Sequence, residues 1–127
     1  VSPKRIIIVI AAAALLAAGS ASADSYGGVS YATQQNVKQL VYAEFGHNWK
    51  AEAMIRCIRR ESGFNARAFA PRDSHGGSAG LTQINGVHGP GGYMTAAFKE
   101  RMFNPVENLK QAHRLMNSSG LGPWRGC

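Results

Sequence analysis

The stretch Ala51–Phe64, AEAMIRCIRRESGF, decides how the rest of the chain is read. Met54, Cys57 and Ile58 recur at i, i+3 and i+4, the spacing of one buried stripe on a helix of 3.6 residues per turn. Ala51 and Ile55 flank the stripe, and Glu52, Arg56, Arg59 and Arg60 fall on the opposite, solvated face. The next stripe position requires an apolar side chain and holds Glu61. A carboxylate there is costly unless it is paired, neutralised or turned to a cleft. It also stands in the last turn, where the negative end of the helix dipole opposes another negative charge. Both effects favour the protonated acid, the form from which a general acid gives its proton. Two plainer arrangements produce the same pattern. One is an ion pair with a nearby arginine; the other is a stripe that ends one turn early and leaves Glu61 in water.

Outward from that helix, the first residues read as an address. Lys4 and Arg5 precede the unbroken apolar run Ile6–Ala18, and Ala21-Ser22-Ala23 supplies a small-x-small cleavage site. A signal peptide over residues 1–23 is predicted, with a product that is secreted to the extracellular space or cell wall. The run falls short of the roughly 20 residues of a membrane span, so no stable membrane insertion is expected after cleavage; an uncleaved anchor is the alternative. Cleavage leaves Asp24–Cys127, one small domain with a single modest core. Removing Lys4 and Arg5 turns 14 basic and 7 acidic residues into 12 and 7, a net charge of +5. That charge favours anionic surfaces, but the basic residues are scattered, and no nucleic-acid motif or sustained basic amphipathic face is present.

The two cysteines, Cys57 and Cys127, form an isolated pair in a small domain bound for an oxidising compartment, the setting of a disulfide. Closing so long a loop stabilises by roughly 4 kcal/mol on the chain-entropy model. The four histidines show no metal-ligand spacing, and neither a metal nor an organic cofactor is expected.

In chain order, residues 24–33 read as a flexible, Gly-rich lead. A helix is predicted over Gln34–Phe45 with Gly46 as its stop, and Asn48 caps the Ala51 helix, which Gly63 ends. Trp49 reads as core or helix-start packing. From Asn65 to Gly80 the helical period is lost among the turn formers Pro71, Asp73, Ser74, Gly76, Gly77 and Ser78, as in a long loop or a small irregular β-hairpin. In Gly80–Asn85, Leu81 and Ile84 suit a short turn of helix that leaves Gln83 and Asn85 free for a cleft. Thr95–Met102 suits a short helix. Asn104-Pro105-Val106-Glu107 is a strong helix start, with Asn as cap and Pro at the first position. That helix is predicted to run to about Asn117, and Trp124 to pack beside the tail. The fold class is mainly α, a compact helical domain with an irregular loop or small hairpin flanking a cleft.

The order of these segments carries more than any one of them. Glu61-Ser62-Gly63-Phe64 closes a helix, GSAGLTQIN (Gly77–Asn85) follows a turn-rich loop, and FNPVENL (Phe103–Leu109) and GPWRGC (Gly122–Cys127) complete the series. This order resembles the lysozyme-like domain of soluble lytic transglycosylases and goose-type lysozymes, in particular small secreted actinobacterial or phage-associated forms. The resemblance implies an α+β lysozyme-like domain over residues 34–127, acting as a monomer on peptidoglycan glycan strands. It implies that Glu61 is the general acid at the bond between N-acetylmuramic acid and N-acetylglucosamine. Among the substrate-binding positions it implies, Ser62 matches a hydroxyl that orients the sugar or the acid, and Gly80 and Gln83 match the segment lining the cleft opposite Glu61. In the same set Asn85 adds a polar contact, Asn108 matches a position that places the loop or the sugar, and His113 stands where related sequences often carry a tyrosine. A standard glycosidase needs two carboxylates, and Asp73 is the only other acid in the middle of the chain; lytic transglycosylases resemble substrate-assisted enzymes that need one. A transglycosylase is therefore expected, with a lysozyme-type hydrolase using Asp73, or a non-catalytic peptidoglycan-binding module, as the alternatives.

Overall fold

The computed structural model describes residues 25–26 and 28–127, so the expected signal segment 1–23 lies outside it. Strands β1 (Ser25–Tyr26) and β2 (Val29–Ser30) form an antiparallel ribbon, followed by helices α1 (Tyr31–Phe45) and α2 (Trp49–Ser62). Then come strands β3 (Phe69–Ala70), β4 (Ser78–Ala79) and β5 (Ile84–Asn85), and 3-10 turns at Gly86–His88 and Pro90–Gly92. Helices α3 (Ala96–Phe103) and α4 (Pro105–Ser119) and a last 3-10 turn, Gly122–Trp124, finish the chain.

The helix boundaries follow local chemistry. Asn48 Oδ1 accepts the N–H groups of Lys50 and Ala51, and Gly63 closes α2 in the left-handed region at φ 58°. Asn104 caps α4 through Val106 and Glu107, with Pro105 in the first turn, and Thr95 Oγ1 accepts Phe98 N–H at the start of α3. At the N-terminus the structure departs from the expected lead. Ser30 Oγ accepts the N–H of Thr33 at 3.0 Å, so α1 starts at Tyr31 and residues 31–33 are helix. A hydroxyl cap within a Gly- and Ser-rich stretch is easily read as more of the same loop.

Helices α1, α2 and α4 form the main body around Val37, Val41, Met54, Ile58, Leu109 and Met116, all buried. Burying each such side chain stabilises by about 1.5–3 kcal/mol. The solvated face of α2 carries Glu52, Arg56, Arg59 and Arg60, as the periodicity requires. Trp49 belongs to that same face and is 64% exposed, which corrects its expected place in the core. At about 100° per residue, position 49 points away from the Met54 stripe and beside Arg56.

Strands β3, β4 and β5 form an antiparallel sheet in that order, with Phe69 opposite Ala79 and Ser78 opposite Asn85. The result is mainly helical with a small sheet lobe, the α+β lysozyme-like arrangement the resemblance implies. Residues 80–83 form a tight turn between β4 and β5 instead of a turn of helix, with Gln83 itself at φ 53°. Leu81 and Ile84 are nonetheless buried. Cys57 and Cys127 are disulfide-bonded with Cα atoms 5.2 Å apart, and Arg56 Nε donates to the Cys127 carbonyl at 3.1 Å.

Candidate active site

Glu61 ends the apolar stripe of α2 with its side chain 26% exposed. Both Nε and Nη2 of Arg60 donate to its Oε2, at 3.2 and 2.9 Å, and Nη2 also donates to the Trp124 carbonyl. The break in the stripe is therefore a partly exposed ion pair, one of the arrangements the pattern allowed. Ser62, next in the chain, donates its hydroxyl back to the Ile58 carbonyl at 3.1 Å, one turn earlier on the same helix.

Trp124 leads from this pair to a cleft of about 230 Å3. Its walls include Ser74 and His75 from the β3–β4 connection, Gln83 and Asn85 around β5, and Pro123 and Trp124 from the tail. Glu61 is not one of the lining residues; it meets the rim through Arg60 and the Trp124 carbonyl. His88 lines the same cleft, and desolvation there lowers its imidazole pKa below the ordinary histidine value.

Several residues expected to orient or bind sugar have side chains that hold the lobe together. Gln83 Nε2 donates to the carbonyls of Ala68 and Gly80, both at 3.1 Å. Asn85 Nδ2 donates to the Ser74 carbonyl at 2.8 Å, and its Oδ1 accepts Val87 N–H at 2.9 Å. These two line the cleft with their amide N–H groups already given to the backbone and, in Asn85, the oxygen as well. Gln83 Oε1, by contrast, accepts no hydrogen bond among the described residues. Asn108 is wholly buried and so is placed to position the loop rather than to touch a sugar directly. Its Oδ1 accepts Thr82 N–H and Thr82 Oγ1–H at 3.0 and 2.7 Å, and its Nδ2 donates to the carbonyls of Ala79 and Met102. Gly80 is also buried, at φ 86°, and a Cβ there would sit 2.0 Å from the Met102 carbonyl oxygen. Its place is close packing, not ligand contact.

His113 stands on α4 with its Nδ1 2.8 Å from Glu44 Oε2 and its ring against Phe45, an α1–α4 clamp where a sugar contact was considered. Asp73 lies exposed between β3 and β4, and among the described residues its carboxylate enters no ion pair or hydrogen bond. Two contributors escaped the sequence reading. Trp124 Nε1 donates to the Thr82 carbonyl at 2.8 Å, joining the tail to the Thr82–Asn108 network, and Arg60 joins the tail to Glu61. The pair Arg59-Arg60 beside an out-of-pattern acid is the only local signal for the second of these.

Among the described residues no group of three His, Cys, Asp or Glu could hold a metal ion, and no helix is long and apolar enough to cross a membrane. A family model described as the transglycosylase SLT domain matches residues 42–120. Comparison with curated proteins and with solved structures gives no match.

Proposed function

The chain belongs to the transglycosylase SLT domain family, and on that premise we propose that it is a secreted lytic transglycosylase of peptidoglycan glycan strands, with Glu61 as its single acid and base. Family membership supports the lytic transglycosylase-type activity in general. The observation that carries the residue assignment is the placement of Glu61. It is the carboxylate at the apolar end of α2, tied by Arg60 to the wall of the cleft. The apolar run Ile6–Ala18 and its cleavage site support secretion.

The substrate bond is the β-1,4 link from N-acetylmuramic acid to N-acetylglucosamine. Protonated Glu61 gives its proton to the glycosidic oxygen as the muramyl C1–O bond breaks. The muramyl 2-acetamido oxygen offsets the charge developing at C1, the role a second carboxylate plays in ordinary glycosidases. The muramyl 6-hydroxyl then bonds to C1 and returns a proton to Glu61, leaving a 1,6-anhydro end and the acid as it began. No water is consumed.

Purified cell walls treated with the mature protein and with Glu61→Gln test this reading. Clearing by the first, loss of clearing by the second, and anhydro-muramyl ends by mass spectrometry are expected. Reducing ends would make the enzyme a hydrolase with Asp73 as the first candidate for the second carboxylate. Tight binding to insoluble wall without released fragments would make it a binding module.

A further inference from the structure

We infer that Arg60 is a positioning residue for the acid, selecting which oxygen of Glu61 exchanges the proton; this rests on the catalytic reading of Glu61 above. Adjacent residues on a helix point about 100° apart and do not face each other. Arg60 nonetheless places two nitrogens on one oxygen, Oε2 of Glu61, while the same Nη2 reaches the Trp124 carbonyl. Its neighbour Arg59 takes the opposite course, with its guanidinium 5.4 Å from the centre of the Phe64 ring. Of two adjacent arginines, one is given to the carboxylate and one to packing.

The anchor on Trp124 is itself fixed. The indole Nε1 is bonded to Thr82, Trp124 is buried, and three residues on the chain ends in the Cys57 disulfide with its carbonyl held by Arg56. The guanidinium, tied both to this constrained carbonyl and to Oε2, favours the carboxylate rotamer that keeps both bonds. It therefore holds Oε2 in place. The remaining oxygen, Oε1, has no hydrogen-bond partner among the described residues and is the one left to carry the proton. Once that proton has gone to the glycosidic oxygen, the charge-assisted bonds to Oε2 stabilise the carboxylate until the 6-hydroxyl proton returns. Arg60 acts through Glu61 and need not touch the substrate.

The test compares initial rates of anhydro-product formation on soluble peptidoglycan fragments for the mature protein, Glu61→Gln, Arg60→Ala, Arg60→Lys and Arg59→Ala. Arg60→Ala is expected to lower kcat about ten- to hundredfold with KM changed less than about twofold, the pattern of a misplaced catalytic group. Arg60→Lys should recover part of kcat, and Arg59→Ala should match the parent. Guanidinium ion, added well below unfolding concentrations, should raise the rate of Arg60→Ala and leave Glu61→Gln inactive. A parental kcat in Arg60→Ala would overturn the inference while leaving the activity intact. So would a loss that neither lysine nor guanidinium restores, since that is the behaviour of a merely structural arginine. A parent protein that forms no product would instead overturn the catalytic reading, and Arg60's role with it.

Discussion

Asn108 and Leu109 are consecutive residues of α4, both buried, and they serve two differently built regions. Leu109 belongs to the helical body, where apolar side chains at helical spacing fill the space between α1, α2 and α4. Asn108 belongs to the sheet lobe, where one side chain satisfies two backbone carbonyls, a backbone N–H and a hydroxyl. Strands of two residues supply few ladder bonds, so side-chain amides supply the rest. The body is tolerant of side-chain identity so long as volume is kept; the lobe is sensitive to the identity of individual polar atoms.

The largest effect expected from that contrast is at Gly80. Gly80→Ala should destabilise by about 4 kcal/mol or more, because its Cβ meets the Met102 carbonyl and the backbone stays at positive φ. Urea denaturation measures it, and a loss below about 1 kcal/mol would show that the lobe yields readily. Next, Asn108→Leu should cost about 3 kcal/mol by stranding buried polar groups, whereas its neighbour Leu109→Met should cost less than about 1.5 kcal/mol. Equal costs would erase the distinction between body and lobe. Asn85→Ala should cost about 1–2 kcal/mol, since the Ser74 carbonyl and Val87 N–H that it serves lie near solvent. Hydrogen exchange should then quicken across 74–88 while α1 and α2 stay protected.

The smallest effect is a pH dependence. With the folded pKa of His88 below its ordinary 6.5, the unfolded chain takes up that proton first on acidification. The contribution of neutral, partly desolvated His88 is therefore complete above about pH 6.5 and is lost as pH falls toward the lowered folded value. Thermal melts across this range should show a shallower acid decline in His88→Gln than in the parent.

The same contrast explains what was legible in the chain. Asn48, Gly63, Thr95, Asn104 and Pro105 act on backbone groups within a few residues, so their roles could be read from short patterns. The out-of-pattern Glu61 was visible because the helix period around it is regular. In the lobe, Asn108 meets Thr82 across 26 positions and Trp124 meets Thr82 across 42, and no period encodes such pairings. Polar side chains in a turn-rich stretch therefore read as free for ligand when they were engaged by the backbone. Trp49 failed for a different reason: size suggested burial, while its position on the helix circle put it outside.

The Cys57–Cys127 bridge joins positions 70 apart and turns everything between them into a covalent ring. Glu61, the cleft and all of the sheet lobe lie within that ring; α1 lies outside it. A protease that cuts the exposed 71–75 stretch therefore opens the ring without releasing a fragment. The nicked protein should migrate as one species until thiol is added, and then as two. A cut beside the cleft therefore leaves both pieces, Glu61 on one and β4 and β5 on the other, covalently joined.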